Sequence, residues 1–138
     1  MALERLNYQE KIANSQCVIN FEVRNSQDCF IYAIMIALHH TEFIHKERIQ
    51  QYAKYYNDFD LSKIVFPVCS MQIQKFEHCN KNISVFTHTY SNKGPECIYR
   101  TSFSERPQFV HIFNHQNHWL PITNLTAFYR QGRAKYFK

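Results

Sequence analysis

Apolar and polar positions change period along the chain, and each change marks an expected element. Residues 17–23, CVINFEV, set Ile19, Phe21 and Val23 against Val18, Asn20 and Glu22, the two-residue period of a half-buried strand. The turn and cap formers RNSQD end that pattern. Cys29 to His40 then reads as a helix apolar on nearly every face, hence a central buried helix, capped by Ser26 or Asp28. KERIQQYAKYYNDF (46–59) places Ile49, Tyr52, Ala53 and Tyr56 at i, i+3, i+4 and i+7, which predicts an amphipathic α-helix. LSKIVFPV is an extended link ended by Pro67. Ser70 is expected to cap a helix over MQIQKFEHCN, with Ile73 and Phe76 inward and Asn80 as its stop.

From Asn82 onward the texture is that of strands. NISVFTHTY, ECIYRTS, QFVHIFN and HWLPITN are separated by SNKGP, Pro107 and HQN, and LTAFYRQG follows as a closing helix capped by Asn124. Residues 1–16 are polar and are expected to form a loosely attached arm, with 17–138 as one domain. The expected class is α+β: a helical first half, its buried central helix packed on an antiparallel sheet from the second half.

Composition narrows the function classes. At 45% hydrophobic and 16% aromatic the chain is no disordered segment, and two glycines leave no Gly-rich phosphate loop. The longest apolar run, Cys29 to Leu38, is about half of the ~20 residues that span a membrane. Met1 to Asn20 has no apolar centre, so no signal peptide is expected, and the protein is placed inside the cell, in cytoplasm or nucleus. Five widely spaced cysteines without a CxxC pair suit a reducing compartment. The net charge of +5 is scattered apart from the tail YRQGRAKYFK, so nucleic-acid binding is not expected of this domain alone.

Cys29, opening the most hydrophobic helix, reads three ways: core filler, metal ligand or nucleophile. A helix N-terminus favours a thiolate and supplies N–H groups for an oxyanion. As nucleophile it would alkylate faster than Cys17, Cys69, Cys79 or Cys97. Of eight histidines, His118 opens the last strand after a polar break, where a base can face a cleft. His40 stands eleven residues beyond Cys29, about 16 Å away at ~1.5 Å per residue, and is too far. No Asp or Glu follows Glu105, so the residue orienting the imidazole is an amide: Asn124 downstream or Gln116 upstream. Asn124 reads equally as a helix cap. Asn25, in the turn before the helix, is a candidate oxyanion donor. His39, His40 and His45, or His78, Cys79 and His88, offer metal-ligand types without structural-zinc spacing.

The segments CFIYAIMIALHH, RIQQYAKYYNDFDLSKIVFPVCSMQIQKFEHCNKNISVFTH, QFVHIF…HWLPITNL and AKYF, in that order, resemble one recurring domain. It is the papain-like, OTU-related cysteine-protease domain found beside protein-primed DNA polymerases of Polinton (Maverick) elements and related viruses. The resemblance covers about residues 17–138 and implies Cys29 as nucleophile, His118 as base and Asn124 as the Asn of the Asn-Leu step. It implies a deubiquitinase acting on ubiquitin or a ubiquitin-like protein, without cofactor or metal, as part of a longer polypeptide. Processing of a viral or transposon polyprotein would use the same chemistry, and an inactive binding module would keep the same fold. Two departures place the resemblance at the papain-like class rather than strict OTU: Ser-Gln-Asp precedes Cys29, and Leu120 stands two after the histidine.

Overall fold

The apolar run forms an α-helix where its pattern placed it: α1, Cys29–His39, with Cys29, Phe30, Ile31, Ala33, Ile34, Met35 and Ile36 all buried. Asp28 holds the cap position without a side-chain cap bond; the turn before it closes through the Asp28 N–H on the Asn25 carbonyl, at 2.9 Å. The computed structural model describes residues 12–13, 15–66, 68–91, 93–115 and 118–136.

The segment expected as an amphipathic α-helix is instead a 3-10 helix, Ile49–Asp58. With three residues per turn, Ile49, Tyr52 and Tyr55 share one ridge and pack on the core, while Tyr56 turns outward. Its buried ring, Tyr52, is fixed by an O–H bond to the Lys46 carbonyl at 2.9 Å. Helix α2, Ser70–Cys79, starts with Cys69 rather than Ser70 in the cap position. Asn80 stops it: its N–H and its side-chain amide both donate to the Phe76 carbonyl at 2.9 Å, and the amide also holds the Asp60 carbonyl.

Four strands follow: β1 Ile83–Ser91, β2 Gly94–Tyr99, β3 Gln108–His115 and β4 His118–Pro121. Gly94, at φ 100°, supplies the left-handed residue that the β1–β2 turn requires. The sheet order is β2-β1-β3-β4, and it is mixed rather than antiparallel, because β1 and β3 run parallel from Ile83↔Gln108 to His88↔Phe113. The cause lies in the connection after β2, which must carry the chain back to the start of β1. Arg106 anchors it there by donating to the carbonyls of Glu77, Asn80 and Ile83. Ser84 Oγ holds the Phe103 carbonyl, and the buried Glu77 carboxylate accepts from Tyr99, Thr101 and the Val85 N–H.

Residues 17–23 are not a strand. Val18 makes an isolated bridge to Ile122, and the Ile19 N–H reaches the Pro121 carbonyl at 3.1 Å. Beyond that point the backbone meets a side chain instead of a ladder, as described below. The expected polar arm lies mostly outside the described residues, but Ile12 and Ala13 are core. No helix among the described residues is long and apolar enough to cross a membrane.

The two sheet faces carry different helices. Phe30 of α1 meets Trp119 of β4 edge-on, at 6.0 Å. On the other face, Phe128 of α3 (Leu125–Tyr136) packs on Phe113 and Tyr90, at 5.4 and 6.4 Å. Asn124 caps α3, its Oδ1 accepting the Ala127 N–H at 3.0 Å. Tyr129 Oη lies 2.7 Å from His88 Nδ1, and His88 Nε2 lies 2.9 Å from His111 Nδ1.

Burial, then the charges of His111 and Arg100, push the His88 pKa down to about 4, and burial lowers His111 as well. An unfolded chain therefore takes up protons below about 6.5 that the folded protein refuses until about 4. Stability should fall by on the order of 3 kcal/mol as pH drops through that window. Urea midpoints measured from neutral pH to about 4.5 check this. A His88→Gln variant should show a flatter profile; a profile as steep as the parent's would contradict the assignment.

Candidate active site

Cys29 is placed by the start of α1, its side chain in a wall formed by β4. The thiol is 4% exposed, and burial pushes its pKa above the usual 9.0. Hydrogen bonds from the main chain of Trp119, of Cys29 itself and of Phe30 pull the other way, and the Asp28 charge adds slightly to the rise. Two of these backbone groups belong to the first turn of the helix, where N–H groups have no partner within it. The third follows His118 directly in the chain, so β4 and α1 meet at the sulfur.

His118 opens β4 opposite His115. Its Nε2 stands 3.1 Å from the Phe21 carbonyl oxygen. A carbonyl only accepts, so Nε2 carries the proton and the neutral ring keeps its lone pair on Nδ1. The Phe21 ring packs against the imidazole at 5.0 Å. Burial is the main cause of a pKa below 6.5; the Phe21 bond raises it and the His115 charge lowers it further. Both partners are thus neutral near pH 7, and no hydrogen bond joins Cys29 to His118 among the described residues.

The remaining sequence candidates sit as follows. Asn124 gives its N–H to the Cys17 carbonyl at 3.3 Å and its Oδ1 to α3, while the His118 Nε2–H is taken by Phe21. Gln116 lies outside the described residues. Asn25 is exposed in the turn before α1 and accepts the Gln27 N–H at 3.1 Å on Oδ1, which leaves Nδ2 as its donor end. Phe21 is the residue that sequence reasoning missed: it acts through its carbonyl, a group every residue has. Its apolar position in CVINFEV was the only signal. Beside it a cleft of about 460 Å³ is lined by Asn20, Phe21, Glu22, Glu47, Arg48 and Ile49.

The metal alternatives do not assemble. No group of three or more His, Cys, Asp or Glu side chains among the described residues is placed to hold an ion. His39 stacks on Tyr55 at 3.5 Å and bonds Glu42, while His88 belongs to the His111 pair. No protein-family model, curated protein or solved structure matches the chain.

Burial and the raised pKa reverse the order of thiol reactivity expected from sequence. Cys69 is exposed, so in the free protein it should react with iodoacetamide before Cys29. Site-resolved mass spectrometry after brief labelling reads the order. Preferential labelling of Cys29 would mean that the thiol is more open and more acidic than this arrangement allows.

Proposed function

We propose that the protein is a cysteine peptidase of the papain-like class, cleaving at the C-terminus of ubiquitin or a ubiquitin-like protein. One observation carries the reading. The thiol opening a buried helix has the main chain of Trp119 among the groups that hold its pKa down, and Trp119 directly follows His118, whose Nε2 is held by the Phe21 carbonyl. The ubiquitin part rests on the sequence resemblance alone.

In this reading the resting pair is neutral. With substrate bound, the Cys29 proton passes to His118 Nδ1 and Sγ attacks the scissile carbonyl carbon. The carbonyl oxygen takes the negative charge beside the N–H groups of the first helical turn, with Asn25 Nδ2 within the preceding turn as a further donor. His118 then returns the proton to the leaving amine, and water releases the acyl group from sulfur. The Phe21 carbonyl keeps the ring in the tautomer that this sequence of transfers needs. Catalytic hydrogen bonds are commonly long before substrate binds, so the absence of one between Cys29 and His118 among the described residues is compatible with this chemistry.

A second reading, a papain-fold binding module without activity, is favoured by the buried and protonated state of Cys29. Cleavage of a ubiquitin C-terminal amide separates the two. Cys29→Ala should abolish it, and His118→Ala should reduce it by about 10³-fold or more, with no further loss in the double variant. Asn124→Ala should keep most activity and lose ~1 kcal/mol of stability through the α3 cap. If it is instead as inactive as His118→Ala at matched folded fraction, the amide and not Phe21 orients the ring. The acid limb of kcat/KM should fall as His118 protonates, with its midpoint below 6.5. Undiminished cleavage by Cys29→Ala would end the peptidase reading.

A further inference from the structure

A helix makes its main-chain hydrogen bonds within itself, so α3 is held on the sheet by side chains. Two of them close over His88 of β1. The Phe128 ring lies 6.0 Å from the imidazole and the Tyr129 ring 5.5 Å. Under them His88 is 3% exposed. Its Nδ1 lies 2.7 Å from Tyr129 Oη, and its Nε2 lies 2.9 Å from Nδ1 of the half-buried His111 on β3. The helix, the central strand and the next strand are thus joined by one chain of groups that exchange protons. Nothing in the proposed peptidase chemistry uses it.

Hydrogen counting shows what an added proton does to this chain. A neutral imidazole carries one N–H, so both bonds of the resting chain run in the same direction, either from the Tyr129 O–H toward His111 or the reverse. If His88 takes the proton, both of its nitrogens donate. If His111 takes it, His111 Nδ1 donates to His88 Nε2, and His88 carries its own hydrogen on Nδ1. In either case His88 Nδ1 bears a hydrogen and cannot accept from the phenol. The phenol does not ionise to restore the match, because burial pushes its pKa up to about 12. The new charge also lies out of water. Arg100, one residue past β2, repels a proton on His88, as does His111 when charged. Cys97 of β2 is the cross-strand partner of His88, and Cys97 and Glu96 act on Tyr129. Neither histidine is ion-paired with a carboxylate among the described residues. An unpaired buried charge has to be neutralised or reach water. Main-chain ladders fix β2 and β3 on either side of β1, so the smallest opening that wets His88 is the departure of α3.

We propose that α3 is a pH-sensitive latch: a proton taken up by the His88–His111 pair frees Tyr129 and lifts α3 from the sheet while the four strands stay joined. The inference is independent of the peptidase reading. The docked form refuses protons that the open form accepts, so opening is favoured as pH falls from the ordinary 6.5 of histidine toward about 4. Within that window each pH unit should raise the open fraction about tenfold for one proton. Native-state hydrogen exchange of the parent, corrected for the intrinsic rate, reads the opening directly. Protection of the α3 amides should fall about tenfold per unit below about pH 6. At every pH it should stay at least about tenfold below that of the β1 and β3 amides, which need global unfolding to exchange. Equal protection in helix and strands would mean one cooperative unit and would overturn the proposal. So would α3 protection that ignores pH. Two variants, checked for folding by circular dichroism, locate the cause. His88→Gln cannot take up the proton and should flatten the α3 profile. Tyr129→Phe should lower α3 protection about fivefold at neutral pH, the worth of one hydrogen bond. A parent-like slope in the first, or parent-like protection in the second, would remove the chain from the latch.

Discussion

A helix with no polar face has to be enclosed, and the enclosure of α1 is the constraint from which the rest of this architecture follows. Phe30, Ile31, Ile34, Met35 and Ile36 leave α1 no side to turn to water. Full burial of each large side chain is worth about 2 kcal/mol. Walls are therefore needed all round: Phe76 of α2 against Phe30 at 5.3 Å, Trp119 of β4 against the same ring, and the Ile49–Asp58 ridge against the helix flank. A helix walled on all sides exposes only its ends, and the N-terminal end is where Cys29 stands. The same packing that hides the helix brings β4, at the Trp119 main chain, to the thiol. Burial also sets the chemistry, because the desolvation that stabilises the core keeps Cys29 protonated and His118 neutral.

Enclosing that helix with a mixed sheet leaves polar groups inside, and each is met by a long-range partner. Glu77 accepts from three donors spread between Val85 and Thr101, and Arg106 collects three carbonyls near the turn between α2 and β1. Buried groups of this kind cost ~1–3 kcal/mol each when left unpaired, so they specify one arrangement of the strands. On the outer face, the Tyr129–His88–His111 chain does the same for α3.

Local pattern made much of this legible. The start of α1, the stop at Asn80, the starts of the strands and the cap at Asn124 all depend on neighbours a few residues away, and each is found within two residues of its expected place. Strand β2 takes in Gly94 and Pro95 of the expected turn, and β4 ends early at Pro121. The parallel β1–β3 pairing was not legible, because it depends on Arg106 and Glu77, more than twenty residues apart, meeting at the sheet end. The segment 46–59 satisfied helical spacings of three and four alike, and the core selected the ridge of three. Residues 17–23 had a strand's alternation, but an imidazole occupies the place of a neighbouring strand at Phe21. The candidate site divides along the same line. Cys29 and His118 were visible as residue types at element starts. A main-chain carbonyl as the imidazole's partner was not, because the main chain is the same at every position.

The central claim is that Cys29 and His118 form a reactive pair, and a ubiquitin bearing a C-terminal electrophile tests it most directly. Intact-mass and peptide mapping after incubation at neutral pH would report the adduct and its position. The account predicts one ubiquitin joined covalently to Cys29 in the parent, and no adduct with His118→Ala, although this variant retains the thiol. An adduct at exposed Cys69, or one at Cys29 that forms as readily without His118, would contradict it.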